Sequence, residues 1–97
     1  MKVLTIVDVV PGASMDQIRS ELGHELHGSW ELYTAGVLRE AYATATPTRV
    51  VFVLEAASGA EAAATLGKLP LVAAGLLRVE AVELRPFANW SMLFAKA

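Results

Sequence analysis

Length, composition and charge already exclude several classes of protein. The chain has 97 residues, enough for one domain, with a hydrophobic fraction of 55% and a net charge of -2. Its eight basic residues form no cluster and no basic face, which argues against nucleic-acid binding. Cysteine is absent, which excludes thiol catalysis, thiolate metal sites and disulfides.

The apolar residues are spread along the chain and never form a run of the ~20 residues that a membrane span requires. We therefore expect no membrane partner. The start of the sequence, Met1-Lys2, lacks the pattern of a signal peptide, so a cytoplasmic location is predicted. A domain of this length buries only somewhat more than about 60% of its unfolded surface. The hydrophobic excess therefore predicts a homodimer or a higher homo-oligomer.

The first half of the chain predicts a strand, a helix and a hairpin. Residues 2–10 are β-branched and apolar on both faces of a strand. Ser14 begins a capping box, and the helix predicted from it runs to about residue 35, before Gly36. Two further strands follow at residues 37–44 and 49–56, joined by a turn with a proline. The helix carries an apolar stripe at steps of three or four residues: Met15, Ile18, Leu22, Leu26, Trp30 and Tyr33.

The second half predicts a short helix, a fourth strand and a tail. Ser58 opens another capping box, and an alanine-rich helix follows to about Gly67. The segment Leu69-Pro70-Leu71 is expected to stop that helix, because proline lacks an amide hydrogen. Residues 77–84 alternate between apolar and charged as a strand does. After Pro86, residues 86–97 carry aromatic and aliphatic side chains at one-turn spacing, which predicts a short docking helix.

The resulting order is β-α-β-β-α-β, that of an α+β ferredoxin-like domain with an antiparallel sheet. The two helices cover one face of such a sheet, yet the first and third strands are apolar on both faces. A second copy of the chain packed on the other face would give a dimeric α+β barrel. We therefore predict a single domain over residues 1–97 that dimerises through its sheet.

Three polar side chains share one face of the first helix. His24, His27 and Glu31 lie at positions i, i+3 and i+7, a spacing that can hold a metal ion. They lie roughly opposite the apolar stripe, however, so in a monomer they face water and we predict no metal site. His27 is nearest to Trp30 and is the strongest functional candidate of the three.

Charged groups within the strands are the other candidates. Arg39 could hold a substrate anion by paired hydrogen bonds, while a desolvated carboxylate, Asp8 or Glu55, moves a proton. Tyr42 or His27 would donate the proton. The alternative is that these groups form ion pairs across neighbouring strands or at a dimer seam. The aromatic walls of such a pocket, which could equally be core residues, are Trp30, Tyr33 and Trp90.

Signatures of nucleotide binding and of serine or zinc hydrolases are missing from the sequence. It contains no GxGxxG, P-loop, GxSxG or HExxH pattern. We accordingly expect no cofactor.

Several of these segments together resemble the muconolactone delta-isomerase family of dimeric α+β barrels. The similarity rests on Val7-Asp8-Val9, on Arg39 three residues after Gly36, and on Glu55 at the end of the third strand. It also rests on Leu69-Pro70-Leu71 ahead of a strand that ends in Leu84 and Pro86. The resemblance is strongest between Gly36 and Phe87.

The resemblance implies a reaction that shifts a double bond in an unsaturated, carboxylated lactone. It also implies a cofactor-free site with Arg39 as the anion anchor and acidic residues at Asp8 and Glu55. Two other functions remain open. One is a non-catalytic dimeric barrel that binds an apolar small molecule, and the other is a cofactor-independent monooxygenase or cyclase.

Overall fold

The computed structural model describes residues 1–95 and shows an α+β domain built on a four-stranded antiparallel sheet. This architecture is compatible with a ferredoxin-like fold. No helix within residues 1–95 is both long and apolar enough to cross a membrane. The elements in chain order are β1 Lys2–Val9, α1 Met15–Thr34, β2 Leu38–Ala43, β3 Val50–Glu55, α2 Gly59–Leu66, α3 Pro70–Ala73, β4 Leu77–Glu83 and a 3₁₀ helix, Ala88–Phe94.

The sheet has the strand order β2-β3-β1-β4, and all three neighbouring pairs are antiparallel. The central strand β1 directs Val3, Thr5 and Val7 toward the helices, and all three are buried. The Thr5 hydroxyl donates to the Phe52 carbonyl at 2.9 Å, so this buried polar group has a partner. The core between sheet and helices includes Leu54, Leu66 and Leu71.

Among residues 1–95, no helix packs on the opposite face of the sheet, and this face is apolar at its centre, as predicted. The side chains of Leu4, Ile6 and Val51 on this open face are half-buried within one protomer. Tyr42 and Val82 on its flanks are exposed by 57% and 42%. An apolar sheet face of this kind is an expected site of association.

Both predicted helix starts are confirmed by their caps. The Ser14 hydroxyl accepts from the Gln17 amide, and the Ser58 hydroxyl accepts from the Glu61 amide at 3.1 Å. Gly36 follows α1 with φ +79°, a left-handed conformation that favours glycine.

The predicted role of the apolar stripe on α1 needs correction. Ile18 is buried, but Leu22, Leu26, Trp30 and Tyr33 remain 42–60% exposed. The helix is rotated so that Ile18, Glu25 and the half-buried Leu32, spaced by seven residues, face inward. Most of the predicted stripe therefore borders a groove beside β2 rather than filling the core.

Pro70 also differs from its predicted role. The helix α2 ends at Leu66, and Pro70 then begins the separate turn α3 as its first residue. Proline is favoured at this position because its missing amide hydrogen is not needed there. Leu71, which follows it, is 1% exposed and packs in the core.

The C-terminal segment forms the predicted short helix as a 3₁₀ helix. Its side chains project into solvent, where Phe87, Trp90 and Phe94 are 62–82% exposed. The last two residues of the predicted docking tail lie outside the described residues.

Candidate functional site

A cavity of about 210 Å³ lies between α1 and the helix-covered face of the sheet. Strand residues such as Val7 and Phe52 form its floor, Leu22 and Leu26 of α1 form one wall, and Leu71 and Val72 of α3 form another. Nearly all of the lining is apolar, and the polar residues among those around it are Asp8, Glu25, Ser29, Thr48 and Arg49.

Glu25 is the one acidic side chain that combines burial with a place on this cavity, among the residues the structure describes. It is 8% exposed, and its Oε2 accepts a hydrogen bond of 3.0 Å from the amide of Leu71. That amide belongs to the first turn of α3, where backbone donors lack partners within the helix. The contact therefore joins α1 to α3.

Burial raises the pKa of the Glu25 carboxyl above its ordinary value of 4.5, and the hydrogen bond from Leu71 lowers it in part. Desolvation is the larger effect. A carboxyl with a raised pKa keeps its proton to a higher pH than an exposed glutamate does, and its carboxylate is the stronger base.

The raised pKa of Glu25 predicts a pH dependence of stability. The folded protein binds this proton more tightly than the unfolded chain, so the contribution is complete below pH 4.5 and is lost as pH rises through the folded pKa. Urea unfolding of wild type and Glu25→Gln should be compared across this pH range. The free energy of unfolding of wild type should contain a decrease with rising pH that the variant lacks. Identical slopes for the two proteins would contradict the shift.

Sequence reasoning missed Glu25, although a signal was present. Ile18, Glu25 and Leu32 recur at seven-residue spacing, close to two helical turns, and so share one face. A carboxylate flanked in this way by two apolar residues is out of place unless that face is polar or the group has a function. The longer apolar stripe through Leu22 and Trp30 predicted a different buried face of the helix, so the face that carries Glu25 was not recognised.

Three charged side chains, those of Asp8, Arg49 and Arg78, meet at one end of the open sheet face. Asp8 Oδ2 lies 3.7 Å from Arg49 Nε and 3.9 Å from Arg78 Nη2, and Asp8 Oδ1 accepts from the Val9 amide. Both ion pairs are long and partly exposed, so each contributes little to stability. Arg49 is also among the residues around the cavity, while its guanidinium pairs with Asp8.

Arg39 and Glu55, two of the predicted catalytic residues, lie elsewhere. Arg39 sits in the bulge between Leu38 and Glu40, is exposed, and donates through Nε to the Gly36 carbonyl. Glu55 pairs with the Met1 amino group at 3.2 Å. Since Glu55 is level with Lys2 on β1, Asp8 is six residues away, or about 20 Å. One protomer does not bring Arg39, Glu55 and Asp8 together.

His27 and Tyr42 are also outside the cavity. His27 is exposed on the outer face of α1, with Nε2 at 2.8 Å from Glu31 Oε1, and His24 lies near Glu21 in the same way. No group of three potential ligands close enough for a metal ion occurs among residues 1–95. On the open sheet face, the Tyr42 hydroxyl donates to Glu40 Oε1 at 2.7 Å, and this bond raises the pKa of Tyr42.

Two of the three predicted aromatic walls lie together. The Trp30 and Tyr33 rings stack with centroids 5.3 Å apart and line an open groove over β2 and β3. The groove shares Leu26, Ser29 and Phe52 with the cavity. Trp90 lies on the projecting 3₁₀ helix, away from both.

No family model and no curated protein matches this sequence. The resemblance to muconolactone delta-isomerases therefore rests on the residues that carry it and names no function by itself. The evidence for function therefore comes from the cavity and the side chains around it.

Proposed function

We propose that the protein is a cofactor-free enzyme that moves a proton on a small unsaturated ring bearing a carboxylate, such as a carboxylated lactone. The observation that carries this proposal is the Glu25 carboxyl, buried at an apolar cavity with its pKa raised. Arg49 borders the same cavity, and we propose its guanidinium as the group that holds the substrate anion. A proton acceptor and an anion anchor at an apolar pocket are the groups that such a reaction needs.

The size of the cavity limits the substrate class. Its volume of about 210 Å³ compares with the ~150 Å³ of an engineered apolar cavity that takes up benzene. A single five- or six-membered ring fits, with its charged substituent at the polar rim. A fused polycyclic substrate would require the walls to move apart.

The proposed step uses the two protonation states of Glu25. The carboxylate removes a proton from the ring carbon next to the carbonyl, and the electron pair moves onto the carbonyl oxygen as a dienolate. The neutral carboxyl then returns the proton to the far end of the conjugated system, so the double bond shifts and no net proton is gained or lost. One side chain can perform both transfers, because it stays beside the same face of the ring.

Within one protomer, we propose Arg49 as the anion anchor. We expect Arg49→Met to weaken binding of a butenolide bearing a carboxymethyl group by about 10- to 100-fold, since a hydrogen bond to a charged group contributes about 1.5–3 kcal/mol. Titration calorimetry should show little change for the methyl ester of the same compound.

A matched control is Arg19→Met, which removes an exposed arginine that pairs with Asp16 on α1. Its affinities should equal those of wild type. Equal losses for the acid and the ester in Arg49→Met would mean that the substitution deforms the cavity, and the anchor role would be wrong.

A second function, ligand binding without catalysis, is supported by one contact. The bond from the Leu71 amide gives Glu25 a structural role in holding α3 against α1. In that case the apolar ring would bind in the same cavity and leave it unchanged. Exchange of ring protons with solvent separates this function from catalysis.

We also propose that two copies pack through their open sheet faces as a dimeric α+β barrel. Support comes from the half-buried Leu4, Ile6 and Val51 on a face that carries no helix. The roles predicted for Asp8, Glu55, Arg39, His27 and Tyr42 remain predictions, since a second protomer would change which groups are neighbours.

A further inference from the structure

The C-terminal residues Phe87–Phe94, called the tail below, expose an unusual concentration of apolar surface. Phe87 and Trp90 pack edge to face at 5.1 Å, and every large apolar side chain of the tail is 62–82% exposed. The only side-chain hydrogen bond that the described residues show for the tail is internal, from the Ser91 hydroxyl to the Ala88 carbonyl. No residue within 1–95 covers this surface.

The shape of the protomer shows that the tail projects outward. Its radius of gyration is 16.1 Å, against about 13 Å for a compact chain of this length, and its longest dimension is 62 Å. The tail follows β4, an edge of the sheet, after Pro86. An apolar arm held away from its own core is suited to contact another molecule.

A matching surface is present at the other side of the same protomer. The aromatic groove over β2 and β3 is lined by Leu26, Ser29, Trp30, Tyr33, Leu38, Ala41 and Phe52. None of these residues is charged, and Phe87–Phe94 also contains no charged residue. Leu26 and Trp30 are each 60% exposed. The groove and the tail therefore match in polarity.

We propose that the tail of each protomer docks in the aromatic groove of a second copy of this chain. The strand order places the tail at the β4 edge and the groove at the opposite edge, beside β2, so a second copy provides the more direct partner. This inference is independent of the chemistry proposed for Glu25.

The area available is sufficient for a stable dimer. A buried aromatic residue contributes about 150–250 Å², and the tail presents three of them together with Met92 and Leu93. Two reciprocal contacts, counted on both tail and groove, would bury on the order of the 1,600 Å² of a standard interface.

Two measurements on the full-length chain test the proposal. Sedimentation equilibrium of wild type should show a dimer, and Trp90→Asp should raise the dissociation constant by about 30-fold or more, as expected for an interface hot spot. The matched control Ala60→Asp places the same charge at an exposed site on α2 and should leave the dimer unchanged.

The second measurement identifies which copy is contacted. In a mixture of methyl-labelled and unlabelled protomers, isotope-filtered NMR should show contacts between tail aromatic protons of unlabelled chains and the methyl groups of Leu26 and Ala41 in labelled chains. A monomeric wild type, a dimer that Trp90→Asp leaves intact, or contacts confined to one chain would each overturn the proposal. The second of these outcomes would leave a dimer formed by the sheet faces alone.

Discussion

In Glu25→Gln, the turnover number for proton transfer on the carboxylated ring should fall by about 10²- to 10⁴-fold, the usual contribution of a general acid/base. The Michaelis constant should stay within about threefold of wild type, because Arg49 and the apolar walls are unchanged. Glutamine keeps the size of the side chain, and its carbonyl oxygen can still accept from the Leu71 amide. The substitution therefore removes the proton while preserving the contact between α1 and α3.

The matched control is Glu31→Gln, also on α1, where the carboxylate is 67% exposed beside His27. This variant should retain full activity, and both proteins should give the same circular dichroism spectrum. Activity in Glu25→Gln equal to that of wild type would remove Glu25 from the mechanism and leave it the structural role of holding α3.

Leu54→Ala should lower the free energy of unfolding by about 2–5 kcal/mol, a large share of the roughly 5–15 kcal/mol that stabilises a domain. Leu54 is 0% exposed on β3 and lies opposite Val3 in the core. Removing its three outer carbons leaves a void that the rigid sheet on one side cannot close. Because Leu54 does not line the 210 Å³ cavity, ligand affinity of the folded fraction should remain unchanged.

Urea unfolding at fixed protein concentration measures this effect, with Met15→Ala as the control. Met15 is 50% exposed at the start of α1, so its truncation should cost less than about 0.5 kcal/mol. A loss below about 1 kcal/mol in Leu54→Ala would show that the sheet and helices pack less closely at this position than the structure indicates.

The sequence was sufficient to predict the order of the strands and of the two longer helices, with most of their limits, but not the short helix α3. Local signals determine these features: Ser14 and Ser58 cap the helices, Gly36 ends the first of them, and alternation marks the strands. The apolar character of both faces of β1 likewise followed from a simple pattern. None of these inferences required knowledge of contacts between distant residues.

The residues of the site could not be predicted in the same way. They depend on which face of each helix and strand is turned inward, and on contacts between residues far apart in the sequence. The partner of the buried Glu25 carboxylate is the amide of Leu71, 46 residues later in the sequence. Arg39 was the arginine predicted as the anchor, and a bulge between Leu38 and Glu40 interrupts the strand register at this residue. In strands that are apolar on both faces, alternation alone does not reveal which side chain reaches a cavity.

The most direct test of the account is solvent deuterium exchange into a carboxymethyl butenolide, followed by proton NMR with purified protein in D₂O. Proton transfer by Glu25 predicts that the protein incorporates deuterium at the carbon next to the carbonyl and at the far end of the conjugated system. This incorporation should be lost in Glu25→Gln and retained in Glu31→Gln. Absence of exchange with wild type, although the compound shifts the NMR signals of the cavity methyl groups, would contradict proton transfer and leave a protein that only binds its ligand.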